Sequence, residues 1–301
     1  MNNFYKNISK YTNNRYTFIE NTFFKNHLIC YLTLAGSYAY GLNAENSDID
    51  IRGFYLENKN EFFTLIDIQD SYVDQETDTT LYSFKKFIKL LINCNPNIIE
   101  LLGTNNEHIL FINNIGELVR NNYLLFLSKK IYNTFIGYAN SQLKRLEKIN
   151  EKEILLQVLQ SNLPEQIKIN NEFNCNINYN NISLKELISI VKNIDNIINQ
   201  FHKINHRNKK KDDIHLYKHA SHLIRLYLTG IDILKEQKIN TYRKEHKLLM
   251  NIKQGKMTME EIFELTDNLQ KEIDLAYKYT ILPNKPNYDK INQLMLQVYN
   301  L

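Results

Sequence analysis

Near residue 126 the spacing of apolar side chains in this chain changes, and that change limits the fold more than any single motif does. Ahead of it lie three short segments rich in β-branched and aromatic residues: HLICYLTLAGS, SDIDIRGFYL and SYVDQETDTTLYSF. Each is bounded by polar or turn-forming residues, which predicts strands. Between the first two, YAYGLNAEN carries Gly41 and Asn43, both suited to a turn. After the third, KKFIKLLINCN sets Phe87, Leu90 and Leu91 at helical spacing until Pro96 stops the pattern. Beyond residue 126, apolar positions recur at three and four through SKKIYNTFIGYANSQLKRLEK, ISLKELISIVKNIDNIINQFHKI, DIHLYKHASHLIRLYLTGIDILKE and TMEEIFELTDNLQKEIDLAYKYT, the period of amphipathic helices. Ser183 with Glu186 and Thr258 with Glu261 have capping-box spacing at two helix starts. The polar stretches 151–180 and 203–213 predict loops, the second carrying the cation run KINHRNKKKDD. Segregation of strands from helices predicts an α+β fold with a sheet-bearing unit over residues 1–125 and a helical unit over 126–301.

Composition excludes several function classes. With 43% hydrophobic and 23% charged residues among 301, the chain can bury a sizeable core. A net charge of +4 is too small to argue for general polyanion binding. Cys30, Cys94 and Cys175 are odd in number and far apart. They suggest neither a disulfide framework nor a zinc site, and a reducing cytoplasm is expected. The N-terminal MNNFYKNISKYTNNRY has no apolar h-region, and no apolar run reaches spanning length, so neither signal peptide nor membrane span is expected.

Chemistry concentrates in LTLAGSYAYGLNAENSDIDIRGF, residues 32–54. If Ser47 to Tyr55 is a strand, Asp48, Asp50 and Arg52 share one face and Ile49, Ile51 and Phe54 help fill the other. Two carboxylates about 7 Å apart on a pleat raise one another's pKa unless a cation lies between them. Mg²⁺ suits that position, since it takes a few carboxylate oxygens and completes its octahedron with water and substrate phosphates. Gly36 lets the backbone approach a phosphate without interference from a Cβ, and Ser37 offers a hydroxyl donor. The segment is neither a Walker A loop, lacking GK[ST], nor a dinucleotide fingerprint, lacking G-x-G-x-x-G. Arg52 could neutralise the two acids or reach a phosphate.

A strand, then G-S, then a short helix or turn, then D-x-D on an adjacent strand resembles the DNA polymerase β nucleotidyltransferase superfamily. The blocks GSYAYGLNAENSDIDIRGFY, DTTLYSFKKFIKLLINCNPNIIELL, YANSQLKRL and KHASHLIRLYLTG resemble its RNA-repair-associated, RlaP-like branch. The likeness runs from about residue 28 to about residue 285, with 151–180 matching least. It implies the small mixed nucleotidyltransferase sheet with flanking helices, followed by a helical domain that completes the nucleotide and acceptor cleft. It also implies a third metal-binding carboxylate on a later strand, where Asp78 stands, although Asp74 and Glu76 share its alternation and a register slip would exchange them. Glu100, in NPNIIELL, would face the cleft.

In the helical half, Lys218, His222 and Arg225 recur at i, i+4 and i+7, opposite an apolar stripe of Tyr217, Ala220, Ile224, Tyr227 and Ile231. The likeness to the family's K-H-x-x-H-x-x-R-L helix makes the first stripe a candidate grip on a triphosphate and its pyrophosphate product. Ser141 and Gln142 are weaker nucleotide-contact candidates. His219 and His222 have no third ligand in sight for zinc.

The activity expected is transfer of a nucleoside monophosphate from an NTP to an acceptor hydroxyl, with two Mg²⁺ ions, or Mn²⁺, held by Asp48, Asp50 and Asp78. Gly36, Ser37, Arg52, Lys218, His222 and Arg225 would bind the nucleotide. The resemblance implies an RNA end as acceptor; the loop KINHRNKKK, Arg145, Arg225, Arg243 and some tyrosines could follow such a strand. Transfer to a protein hydroxyl and a non-catalytic nucleotide sensor are the rival readings. The choice of base, template use and oligomeric state are not written in the sequence.

Overall fold

A computed structural model describes residues 2–58, 61, 69–162, 167–169, 175–177, 183–185, 188–189, 191–192 and 213–300, with side chains described outside 148–162, 167–169, 175–177 and 213–215. Its centre is a five-stranded mixed sheet in the order β3-β4-β2-β1-β5. The strands are β1 (Leu28–Leu34), β2 (Ile51–Leu56), β3 (Ser71–Asp74), β4 (Thr79–Ser83) and β5 (Ile109–Ile112). Only β2 and β4 run parallel; β1 pairs antiparallel with β2 and β5, and β3 with β4. The α+β class expected from the segregated periods is the one observed.

The long apolar run around β1 has its reason in this order, because β1 lies between two strands and is buried along almost its whole length. A bulge at Cys30 shifts the register between Ile29 and Tyr31. Consequently Ile29, Leu32 and Leu34 face one apolar cluster while Cys30 and Tyr31 face another. The first cluster is closed by α1 (Asn2–Ile8), the turn Thr17–Glu20 and α2 (Thr22–Asn26), through Phe4, Ile8, Phe18 and Phe24. The second runs from Tyr31 and Phe54 through α4 (Phe84–Ile92) and α5 (Pro96–Leu102) into the helices that follow. Those are α6 (Asn114–Asn121), α7 (Lys130–Asn162), α8 (Asp213–Glu236), α9 (His246–Lys253), α10 (Met259–Tyr279) and α11 (Tyr288–Tyr299). A four-residue helix, α3 (Gly36–Ala39), links β1 to the segment before β2.

Several expectations need correction. The segment SYVDQETDTTLYSF is a hairpin, β3 and β4, and not one strand, because Asp74 accepts hydrogen bonds from the backbone and hydroxyl of Thr77 and folds the chain back. Pro96 opens α5 at its first turn, while α4 has already ended at Ile92 and Cys94 takes a φ of 50°. In 151–180, α7 continues to Asn162, with Ile154, Leu155, Val158 and Leu159 keeping helical spacing, and β6 (Ile167–Ile169) pairs with β7 (Cys175–Ile177). The Thr258–Glu261 capping box forms, its two reciprocal bonds measuring 2.8 and 3.2 Å. The Ser183–Glu186 pair and the expected loop 203–213 lie outside the described residues, apart from Ser183 itself and Asp213, which opens α8. Among the described residues no helix is long and apolar enough to cross a membrane.

Candidate active site

Strand β2 begins at Ile51, later than the sequence suggested. Leu34, the last residue of β1, pairs with Ile51, and the Ala35 N–H donates to the Asp50 carbonyl at 2.8 Å. The chain then leaves the sheet at Gly36, so Asp48 and Asp50 have no partner strand and lie on the lead-in to β2 rather than on its pleat. A turn at Ala44–Ser47, closed by the Ser47 hydroxyl accepting the Ala44 N–H at 2.8 Å, delivers them there.

Gly36 has a φ of +56°, a region that favours glycine. A Cβ at this position would fall 1.9 Å from the Oδ2 of Asp50. The bare backbone of the Gly-Ser turn and the Asp50 carboxylate therefore touch. Among the described residues no side chain or backbone group takes up the Ser37 hydroxyl; the Ser37 carbonyl accepts the Leu42 N–H at 2.8 Å.

The parallel register Ile51↔Thr79 sets Asp78 beside Asp50, and the Ile51 N–H donates to the Asp78 carbonyl at 3.2 Å. Asp78 has a φ of 43°, which aspartate tolerates better than most residues. Of the three acids the sequence left open, Asp74 caps the hairpin turn and Glu76 is exposed in it; Asp78 meets Asp50. Burial, then a hydrogen bond to Asp78 and the Asp78 charge, push the Asp50 carboxyl up to about 6, with Asp48 adding to the rise. The same Asp50 contact holds Asp78 below the usual carboxylate range. Arg52 is the counter-charge to both: its Nη2 lies 3.2 Å from Asp78 Oδ1 and 3.5 Å from Asp50 Oδ1, and its Nη1 donates to the Asp78 carbonyl at 2.6 Å. The Asp48 side chain is exposed.

Arg225 is not part of an open cationic stripe. α8 packs against α7, α9 and α10 and buries most of its circumference, so Arg225 is 4% exposed and ion-paired to Glu100 on α5, itself 2% exposed. Glu100 is therefore an interior acid past the first turn of its helix, and neither a helix-start charge nor a free group in a cleft. The Tyr40 hydroxyl donates to Glu100 Oε2 at 2.7 Å, and the Arg225 guanidinium lies 3.7 Å from the Tyr40 ring centre. Burial opposes the Arg225 charge, but Glu100 and Tyr40 outweigh it and its pKa is raised. Tyr40 ends α3 and its hydroxyl feels the Asp50 charge. Sheet, Gly-Ser turn and helical half thus meet at this residue, which the sequence reading passed over.

Burial first, then repulsion from Arg225, with His219 and Arg145 adding to it, brings the pKa of His222 down to about 3. Its buried Nε2 has no hydrogen-bond partner among the described residues. His219 Nδ1 lies 2.8 Å from Gln142 Oε1, which joins the KHASH and YANSQ blocks, whereas the Ser141 hydroxyl turns back to the Tyr138 carbonyl of its own helix at 2.7 Å. Lys218 is exposed, and its charge, after burial, lowers the pKa of Lys253. The Lys253 ammonium donates to the Leu42 carbonyl and His246 Nε2 lies 2.5 Å from the Gly41 carbonyl, so α9 holds the turn that follows α3. Arg243 is buried between Asp232 and Glu245 at 2.8 and 3.2 Å and cannot follow a strand; Arg145 is exposed. Lys253 and His246 were missed because nothing local marks them.

A sequence model of the RlaP family, described as the RNA repair pathway DNA polymerase beta family, matches residues 11–297. No curated protein and no solved structure gives a match.

Proposed function

The chain belongs to that RNA repair pathway DNA polymerase beta family, and from this premise we propose that it transfers a nucleoside monophosphate from an NTP to the hydroxyl of an RNA end, releasing pyrophosphate. The observation that carries the proposal is the contact between Gly36 and Asp50: the only space a Cβ would take is filled by a carboxylate oxygen. A phosphate-approaching backbone and an acidic metal ligand converge on one point.

The acids suit a dication. Asp50 and Asp78 crowd each other, Asp48 adds its field, and among the described residues Arg52 offsets them. Among the described residues no group of three His, Cys, Asp or Glu side chains is placed to hold a metal ion, so water and substrate phosphates would have to complete the shell of a Mg²⁺ bound by fewer acids. Asp50 and Asp78 would hold it, and Asp48, exposed beside them, would have to turn inward to join. Once bound, the metal would lower the pKa of the acceptor hydroxyl and offset charge on the phosphoryl oxygens. Gly36 and Ser37 bring backbone and a free hydroxyl to the phosphates. Arg52 neutralises the acids until the metal arrives. Arg225, with Glu100 and Tyr40, fixes α3 against α8 and touches no phosphate. Lys218 and His222 stand on the helical side, where the triphosphate would extend.

The test is incubation with Mg²⁺ and each α-labelled NTP, offering RNA, DNA and protein acceptors in turn. Label is expected in RNA, and Asp50→Asn should abolish it without lowering the melting temperature. Label in protein would replace the acceptor assigned here; bound but unchanged nucleotide would replace catalysis by sensing; full activity in Asp50→Asn would refute the site.

A further inference from the structure

The Asp78 carboxylate meets Asp50, yet the Asp78 side chain is 56% exposed. Packing therefore does not aim it, and the backbone must. Asp78 is the last residue of the turn 75–78 between β3 and β4, at a φ of 43°. A chain that needed only a turn there would use glycine or asparagine, which take up this region most readily.

The peptide planes on both sides of Asp78 are fixed by hydrogen bonds, and two fixed planes leave a residue's direction little freedom. The plane that leaves Asp78 is held from β2, since its carbonyl accepts from the Ile51 N–H at 3.2 Å and from Arg52 Nη1 at 2.6 Å. The plane that enters it is held from within the hairpin. Asp74 Oδ2 accepts the Thr77 N–H at 3.2 Å and also the Thr77 hydroxyl. With that proton committed to Asp74, the Thr79 hydroxyl is the donor toward Thr77, 2.8 Å from its Oγ1 and 3.3 Å from its carbonyl. Thr77 and Thr79 are 8% and 0% exposed, so water does not compete for these bonds. The two threonines are sunk on either side of Asp78, and the acid between them is turned outward.

We propose that Asp74, Thr77 and Thr79 are positioning residues: they form a clasp that fixes the backbone of Asp78 and so holds its carboxylate beside Asp50 for a divalent cation. The clasp rests on the reading of Asp50 and Asp78 as ligands of a dication, and it acts through Asp78. Removing a group that orients a metal ligand typically costs about 10- to 100-fold in metal affinity. If the three residues served only to close the hairpin, their loss would lower stability and leave cation affinity as it was.

The experiment measures binding of Mn²⁺ alone by electron paramagnetic resonance, with the melting temperature read alongside, for wild type, Thr77→Val, Thr77→Ser, Asp78→Asn and Thr77→Val/Asp78→Asn. Thr77→Val keeps the branched shape and removes the central hydroxyl; it is expected to weaken Mn²⁺ binding by about tenfold or more, and Thr77→Ser, which keeps the hydroxyl, should stay near wild type. Because the clasp acts through Asp78, the double variant should bind Mn²⁺ no more weakly than Asp78→Asn does. Wild-type Mn²⁺ affinity in Thr77→Val, whatever its melting temperature, overturns the proposal, as do losses that add in the double variant. Thr79→Val, β-branched in a strand, is judged by the same two criteria should Thr77→Val fail to fold. If wild type binds Mn²⁺ through Asp50 and Asp78 yet transfers nothing to any acceptor, the transfer reading fails and the clasp stands; if Asp50→Asn leaves Mn²⁺ binding unchanged, the acids hold no cation and the clasp falls with them.

Discussion

Arg225→Met isolates the buried pair at the junction of sheet and helices. The substitution keeps an unbranched side chain of similar reach and removes the charge. Glu100, 2% exposed, then has the Tyr40 hydroxyl but no cation. Removing one partner of such a pair costs about 3–5 kcal/mol, most of it the orphaned charge. At about 2–4 °C per kcal/mol for a chain of this order of size, the melting temperature should drop by about 10 °C. If the orphaned carboxylate is the cause, Glu100→Leu added to Arg225→Met should recover most of the loss, because apolar replacement of a whole buried pair is close to neutral. It then leaves the Tyr40 hydroxyl unsatisfied at about 1–3 kcal/mol, and Tyr40→Phe in the triple variant should remove that remainder. Urea and thermal unfolding followed by circular dichroism read all three steps. A single variant that loses less than about 1 kcal/mol, or a triple variant as weak as the single, refutes the reasoning.

Gly36→Ala should cost about 1–2 kcal/mol for a Cβ at a positive φ, and, because that Cβ must displace the Asp50 carboxylate, should lower transfer by about a hundredfold with little change in helix content; paired unfolding and label-transfer assays check both. His222 gives a pH signature: its pKa is lowered to about 3 from 6.5, so below 6.5 the unfolded chain takes up a proton that the native chain does not. Stability should therefore fall as pH drops through that window, and His222→Gln should flatten the acid limb of a plot of melting temperature against pH by up to about one proton.

What could be read in the sequence was whatever is decided locally. Gly36, Ser37, Asp48 and Asp50 fall within fifteen residues, and a turn followed by a strand entry is enough to bring them together. The helical half was legible for the same reason, since its period repeats every turn. The residues 151–162 were misjudged because Glu151, Lys152 and Glu153 interrupt the apolar rhythm only at its start. Strand β5 gave no signal, being four residues at a sheet edge with one fully buried side chain, Leu110. Asp78 could not be separated from Asp74 and Glu76 until the hairpin set the register. Arg225 was misplaced for a longer-range reason: its partners are 125 and 185 residues away in sequence, and spacing on α8 says which residues share a stripe but not what packs on it.

The arrangement around Asp50 runs against stability, and that bears on its meaning. Burial and Asp78 both make the Asp50 charge hard to keep. Relief is blocked on one side by the Gly36 backbone, and Asp78 is itself held at a φ of 43° to stay alongside. Two departures from the preferred backbone region, at positions 36 and 78, thus bracket one disfavoured carboxylate. A chain selected only to fold would relax this with an amide at position 50 or 78 and lose nothing of its core, since none of the large apolar clusters includes these side chains. Local strain that the surrounding structure must over-determine is what a site for charge-demanding chemistry requires. The buried Tyr40–Glu100–Arg225 cluster supplies that over-determination by fixing the far end of α3, so that the turn at its near end cannot swing away from the acids it crowds.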